Sequence, residues 1–259
     1  MAHQETEIMG AYTVVFDGLT HLGPGDSSTT RSFAERLRRE LPPAARVADF
    51  GCGVGASTLV LAQSLPMAKV LALDFHAPFI ACLERAANAR GLGERISAVT
   101  GDMADPESLD VTSGGFDLIW SESAIYSMGR KTAFSCWRPL LRPGGWLVFS
   151  DVVWQREPTK RSVEASEFWG TEYPDITTPD AIVDELTAAG FNPLDPELCG
   201  RKPWSNYYEP LRERLHLLAK HDNRPRALIE LMAQLEREIH VYDCAGDDVA
   251  VGFFLAQRD

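Results

Sequence analysis

The sequence predicts an α/β fold: a mostly parallel sheet with helices on both faces and a helical cap above one edge. Three observations carry that expectation. Short apolar runs alternate with helical stretches between Arg46 and Asp151, the pattern of strand–helix–strand units. A glycine cluster, Gly51-Cys52-Gly53-Val54-Gly55, follows the first of those runs directly. The 259 residues suffice for one large α/β domain, or a core of that class with a modest cap.

Arg46–Phe50 (RVADF) is a short apolar run that stops at the glycines. Ala56–Leu65 has helical character, with Leu59, Val60 and Leu61 able to pack inward. Lys69–Asp74 (KVLALD) is a second buried strand, and Pro78–Arg90 a helix opened by its proline. Arg95–Thr100 and Phe116–Trp120 follow as third and fourth strands. Lys131–Leu141 is a helix closed by Pro143 and Gly144, and Trp146–Asp151 (WLVFSD) is a fifth strand. Farther on, Val163–Gly170 and Asp180–Gly190 are helical and Phe191–Leu198 is a sixth strand. Tyr207–Tyr242 is a long helical stretch broken near Asn223–Pro225, and Asp248–Gln257 is a closing strand. We expect a single domain over residues 1–259, with an N-terminal helical cap segment (1–41), a core (42–200), a helical insertion (201–246) and the closing strand (247–259).

Composition excludes several function classes. Hydrophobic residues at 45% and charged residues at 24% are ordinary for a globular chain. Lys and Arg number 25 against 37 Asp and Glu, a formal net charge of −12. Such a field repels nucleic-acid backbones and anionic lipid. The densest basic stretch, Arg31–Arg39, is diluted by Glu35 and bounded by Glu40. No apolar run of 18 residues predicts a membrane span, and Met1–Gly10 is too polar for a signal peptide. Five widely spaced cysteines (Cys52, Cys82, Cys136, Cys199, Cys244) without a C-x-x-C pair argue against a disulfide framework or a zinc site, and for a reducing, cytoplasmic setting. His216 and His221, five apart, do not share a helix face, so no metal is expected.

The chemistry concentrates at the first strand-to-helix turn. Glycines let the backbone bend sharply and let a ligand approach without meeting a Cβ. By itself the turn is ambiguous, since Gly51-x-Gly53-x-x-Ala56 also fits the dinucleotide fingerprint, with Asp74 near its ribose acid. Three features separate the readings. Asp49, just before the glycines, would answer the ammonium of an amino acid and repel a pyrophosphate. Gly101-Asp102-Met103 follows the third strand, where an acid can accept from the amino group of an adenine while Met103 packs on the ring. Arg142-Pro143-Gly144-Gly145-Trp146 sets a proline–glycine turn before the fifth strand.

With these motifs the chain resembles a class I S-adenosylmethionine-dependent methyltransferase, of the small-molecule branch similar to ubiquinone/menaquinone-biosynthesis C-methyltransferases. The resemblance is strong over Arg46–Val153 and looser at Leu22–Ser27, Trp120–Tyr126 and Trp204–Tyr208. It implies a Rossmann-like seven-stranded sheet whose last strand is antiparallel, suiting Asp248–Gln257. It also implies that Asp49, Gly51 and Gly53 line the methionine end of the cofactor, Asp74 holds the ribose hydroxyls with Phe75 beside the adenine, and Asp102 and Met103 recognise the base. Ser121 and Glu122 would sit by the methionine moiety and the transferring methyl. The Asn-Pro-Pro-Tyr motif of amide and base methylation is missing at this place.

The expected function is methyl transfer by in-line displacement to a small-molecule acceptor, with Glu122 and Asp151 as candidate general bases. Aromatic residues gather where the cap should lie, and Tyr126, Trp154, Trp169, Trp204 and Tyr207 are the candidate acceptor contacts. Cys52 serves as a small residue, and His76 as an exposed loop histidine. An exposed cap helix could support a homodimer. Two alternatives stay open at this point: a module that binds S-adenosylmethionine or S-adenosylhomocysteine without transfer, and a nicotinamide-dependent oxidoreductase.

Overall fold

The computed structural model describes residues 2–105 and 115–259. Two helices, α1 (Ala2–Phe16) and α2 (Ser27–Leu37), precede the sheet. Asp26 caps α2, its carboxylate accepting from the Thr29 amide at 3.2 Å. Then follow β1 (Arg46–Phe50), α3 (Ala56–Ser64), β2 (Lys69–Asp74), α4 (Ala77–Ala89), β3 (Ile96–Thr100), β4 (Phe116–Ser121), α5 (Arg130–Trp137) and β5 (Leu141–Trp154). The chain continues through α6 (Val163–Glu172), α7 (Pro179–Ala188), β6 (Phe191–Pro193), β7 (Glu197–Cys199), α8 (Lys202–Ala219), α9 (Arg226–Ala245) and β8 (Val249–Arg258).

The sheet runs β3-β2-β1-β4-β5-β8-β6. Strands β1 to β5 pair in parallel, while β8 lies antiparallel between β5 and the edge. This is the seven-lane sheet with a reversed last strand that the resemblance implies. The edge lane is split, because β6 and β7 both pair with β8 at different heights. The expected single strand Phe191–Leu198 is thus two short ones, bracketed by Pro193 and Pro196, which have no amide to give a ladder.

A second departure concerns β5, which starts at Leu141 rather than Trp146. Phe116 pairs with Leu141 and Leu118 with Trp146, so Arg142–Gly145 form a bulge inside the strand instead of a turn before it. Gly144, at φ +74°, takes the left-handed conformation the bulge needs.

Side chains on the central strands alternate between two cores, as the period of 2 dictates. Val47, Leu118, Trp120, Val148 and Phe253 face one layer, which is closed by α1, α2, α3, α4, α8 and α9. Ala48, Phe50, Ile119, Phe149 and Phe254 face the other, which is closed by α5 and α7. Helix α1 packs on α8 and α9, and α9 also meets α6, so the N-terminal helix and the late helical excursion form one layer. The excursion breaks between Ala219 and Arg226, spanning the expected Asn223–Pro225. Among the described residues no helix is long and apolar enough to cross a membrane.

Candidate active site

Because β1, β2, β3 and β4 run parallel, their carboxyl ends bring Gly51, Asp74, Gly101 and Glu122 to one edge of the sheet, where open α/β folds place ligands. A chamber of about 620 Å³ opens there, lined among others by Gly51, Gly53, Asp74, Phe75, Asp102, Met103 and Glu122. Its size lies within the roughly 300–1,000 Å³ usual for small-molecule sites.

The glycine turn is pinned to the next strand, since the amides of Gly51 and Cys52 both donate to Leu73 O, at 2.8 and 2.9 Å. Gly51 sits at φ +73°, and a Cβ there would lie 2.3 Å from the Ala124 Cβ. A cradle of this kind tolerates no side chain. Gly51→Ala should therefore cost roughly 1–3 kcal/mol from backbone strain and overpacking together, read as a lower urea midpoint. An unchanged midpoint would show that the turn can relax. Cys52 lies within this turn and is buried, and burial pushes its thiol well above the ordinary range, as suits a packing residue.

Asp74 is held from both sides. Its Oδ2 accepts from the Gly53 amide at 2.8 Å and its Oδ1 from the His76 amide at 2.9 Å. Burial raises its carboxyl above the usual range, against those two bonds. Phe75 lines the chamber with its ring largely exposed. Asp102 is exposed at the far wall and caps the Ala104 amide at 2.8 Å, beside Met103. Glu122 faces the chamber with its Oε1 taken by Thr30 Oγ1 at 2.7 Å and Trp120 Nε1 at 2.8 Å. Burial raises its carboxyl as well, opposed by hydrogen bonds from Thr30, Trp120 and Ser57.

Asp49 and Ser121 are not among the lining residues. Asp49 lies fully buried beneath the turn, accepting from Thr58 Oγ1 at 2.5 Å. Burial, with Glu122 and Asp74 nearby and only the Thr58 bond opposing, pushes its carboxyl up to about 7. Ser121 is buried at the end of β4 with an unpartnered Oγ.

A second, narrower chamber of about 190 Å³ adjoins the first. The two share the Leu22–Pro24 segment, Ser123 and Tyr126. Ser123 marks the seam: its φ of +52° is unusual for a residue with a Cβ, and its Oγ donates to Pro24 O at 2.7 Å. Trp169, Trp204 and Tyr207 line this second chamber, as does Asp151. Both Asp151 oxygens are committed, Oδ2 to Tyr173 OH (2.7 Å) and Arg130 Nη1 (2.9 Å), Oδ1 to the Val152 amide (2.8 Å).

Two further expectations need correction. Trp154 lines neither chamber: it is buried at the end of β5 with the Arg161 guanidinium 4.2 Å over its ring. His76 is not an exposed loop residue but 4% exposed, its Nε2 2.8 Å from Thr13 Oγ1 and its ring edge-on to Phe79. Arg130, Thr30 and Glu238 escaped the sequence reading. Only Glu238 left a signal there, since it falls three residues after Leu235 and seven after Leu231, on the apolar face of α9.

The fold and the site define a Rossmann-like α/β protein with two adjoining chambers at the carboxyl edge of its sheet. The profile of the methyltransferase domain family matches residues 47–145. Malonyl-[acyl-carrier protein] O-methyltransferase of Methylococcus capsulatus is 30% identical over 240 residues, covering 90% of this chain and 82% of that one. The Herminiimonas arsenicoxydans enzyme of the same name is 29% identical over 188 residues, 70% of this chain and 65% of the other. The chain therefore belongs to the methyltransferase family. It spans just under two thirds of the Herminiimonas protein and about a third of the plant phosphoethanolamine N-methyltransferases it also matches. A solved S-adenosylmethionine-dependent methyltransferase from Geobacter sulfurreducens, in complex with S-adenosyl-L-homocysteine, superposes with a TM-score of 0.80 at 17% identity, over 96% of this chain and 98% of that one.

Proposed function

We propose that the protein is an enzyme that moves a methyl group from S-adenosylmethionine to a small molecule by in-line displacement. The cofactor would occupy the larger chamber and the acceptor the smaller. The observation that carries this reading is their junction: the glycine cradle, Asp74 and Asp102–Met103 converge on one chamber, and that chamber meets an aromatic second one at Ser123 and Tyr126. A module that only binds the cofactor has no use for the second chamber.

The chemistry of the first chamber fits the cofactor. The two Asp74 oxygens can take the paired ribose hydroxyls, and Asp102 with Met103 suits an adenine edge and face. The buried Asp49 carboxyl, pushed up to about 7 chiefly by desolvation with Glu122 and Asp74 adding to it, would be held in its ionised form by an ammonium nearby. When bound, S-adenosylmethionine supplies an electrophilic methyl group on sulfur. The chain's own task is alignment in a dry site, which can contribute on the order of 7–11 kcal/mol. Tyr12, Phe16 and Tyr126 wall both chambers, and with both ligands in place their rings would shield the junction from water.

Calorimetry tests the cofactor directly: S-adenosylhomocysteine should bind and NAD should not. Binding of NAD alone would favour the oxidoreductase reading. For an acceptor that must lose a proton, Glu122 is the base we assign, because it lines the larger chamber and its donors, Thr30, Trp120 and Ser57, are neutral groups that leave it able to take a proton. Asp151 has no such freedom. Glu122→Gln should lower turnover roughly 10²–10⁴-fold while S-adenosylhomocysteine affinity changes little. In the native protein, turnover should rise with pH through a value above that of an ordinary glutamate, since burial raises the carboxyl. The variant should lose that limb, and unchanged turnover would remove Glu122 from the role.

The net charge of −12 supports a small molecule over nucleic acid as acceptor. The free thiols of all five cysteines suit a cytoplasmic setting.

A further inference from the structure

The second chamber carries information about its occupant that the family does not. Its walls are aromatic and carboxylic at once. Trp169, Trp204 and Tyr207 supply aromatic rings, and Glu238, Glu172 and Asp151 supply acids. Among the described residues, no lysine or arginine lines either chamber. Arg130, which pairs with the lining Asp151, is committed to Asp151, Glu185 and the Asp175 carbonyl. A carboxylate or phosphate on the acceptor would enter without a cation to meet it and would face acids instead.

The three acids are not equivalent. Asp151 is saturated by Arg130, Tyr173 and the Val152 amide. Glu172 is bonded by Gln234 Nε2 at 2.8 Å and paired with surface Arg237 at 3.9 Å. Glu238 is different: Tyr208 OH donates to its Oε1 at 2.8 Å, and no other donor reaches the carboxylate among the described residues. It projects from the buried face of α9, in the part of the second chamber not shared with the first. An unpaired acid among aromatic rings is the arrangement that receives an organic cation, through charge and through the ring quadrupoles together.

Resting on the methyltransferase reading, we propose that the acceptor is a largely apolar amine, its body in the sleeve of Trp169, Trp204 and Tyr207 and an ammonium against Glu238. The methylated atom lies nearer the seam at Ser123, so the cation that Glu238 holds is a recognition handle. The pH behaviour follows from the surroundings. Tyr207 and Tyr208 from α8, Tyr12 from α1, Tyr126 from the loop after β4 and Glu172 from α6 face this carboxyl. None of them is a cation, and burial pushes it up to about 7. An alkylammonium keeps its proton far above that, as lysine does near about 10.4. Amine affinity should therefore climb as pH rises from 6 to 8, while Glu238 ionises.

The test uses three probes with one apolar body and different heads: 3-phenylpropylamine, 3-phenylpropan-1-ol and 3-phenylpropanoate. Their binding to the full chain is measured by calorimetry at pH 6 and pH 8, with and without S-adenosylhomocysteine. At pH 8 the amine should bind at least tenfold more tightly than the carboxylate, with the alcohol between. Glu238→Gln should collapse the amine's advantage over the alcohol and abolish its pH dependence. A carboxylate that binds as well as the amine, an amine that does not bind at all, or an advantage that survives Glu238→Gln would each overturn the proposal. S-adenosylhomocysteine binding is read separately and reports on the cofactor chamber. Its loss in the native protein would undo the transferase reading, while the ranking of the three heads would still judge the amine.

Discussion

Replacing Arg130 with methionine should unfold the protein roughly 6–20 °C below the native midpoint. Arg130 is 5% exposed, and its guanidinium holds Asp151 (2.9 Å), Tyr173 OH (2.6 Å), Glu185 (2.7 Å) and the Asp175 carbonyl (2.7 Å). It thus ties α5 to β5, to the loop before α7 and to α7 itself. A buried pair is weak evidence of net stabilisation, but removing one partner leaves a charge desolvated and alone, at about 3–5 kcal/mol. In a chain of this size each kcal/mol moves the midpoint by about 2–4 °C. The loss should shrink in acid. Burial already raises the Asp151 carboxyl, and without Arg130 it titrates higher still above its unfolded value, so the variant regains stability as pH falls and it protonates. Arg130→Met combined with Asp151→Asn should recover part of the loss, a coupling that independent sites would not show. A midpoint within about 2 °C of the native one, less than 1 kcal/mol, would mean that the network contributes nothing net.

Arg130 also shows where the sequence stops being informative. Strands β1, β2 and β4 were legible because burial on both faces demands continuous apolar runs, and each run ends on or just before a residue of the site: Phe50 before Gly51, Asp74 itself, Ser121 before Glu122. The cradle was legible because close approach and positive φ leave only glycine. Gly129-Arg130-Lys131 carries no comparable mark, for a buried arginine and a solvated one look alike until their partners, here 21 and 55 residues downstream, come together. The same applies to the ends of β5. Its register with β8 from Trp146 to Trp154 is set by a partner strand about 100 residues later, which no local pattern encodes. Trp154 failed as an acceptor contact for that reason: the strand runs past the chamber before the tryptophan is reached. The second chamber was legible only as an excess of aromatic residues. Its acid, Glu238, was visible as an interruption of the apolar stripe of α9, and only a known packing face for that helix turns the interruption into a site.

The largest effect on ligand binding should come from Asp74→Asn. The carboxylate accepts two backbone amides, Gly53 on Oδ2 and His76 on Oδ1, and each oxygen keeps a further lone pair toward the chamber. An asparagine of the same shape turns one acceptor into a donor, so one of the two backbone amides faces a donor at the head of the glycine turn. The charge is lost as well, and with it the stronger bonds an ionised acceptor makes to ribose hydroxyls, about 1.5–3 kcal/mol each against about 1 for neutral ones. Together these terms predict a loss of about 2–4 kcal/mol in S-adenosylhomocysteine affinity, roughly 30- to 1,000-fold. Asp102→Asn should cost less, since Asp102 is exposed and caps only the Ala104 amide. The native affinity should also weaken in acid. Burial sets the Asp74 carboxyl above the ordinary range, so protonation removes the charged acceptor at a pH where an exposed aspartate would still be ionised. Asp74→Asn, having no proton to take up, should be flat over the same interval. If the variant instead holds the nucleoside within about twofold of the native protein, a difference below 0.5 kcal/mol, then the ribose is gripped elsewhere and the orientation assigned to the cofactor in the larger chamber is wrong.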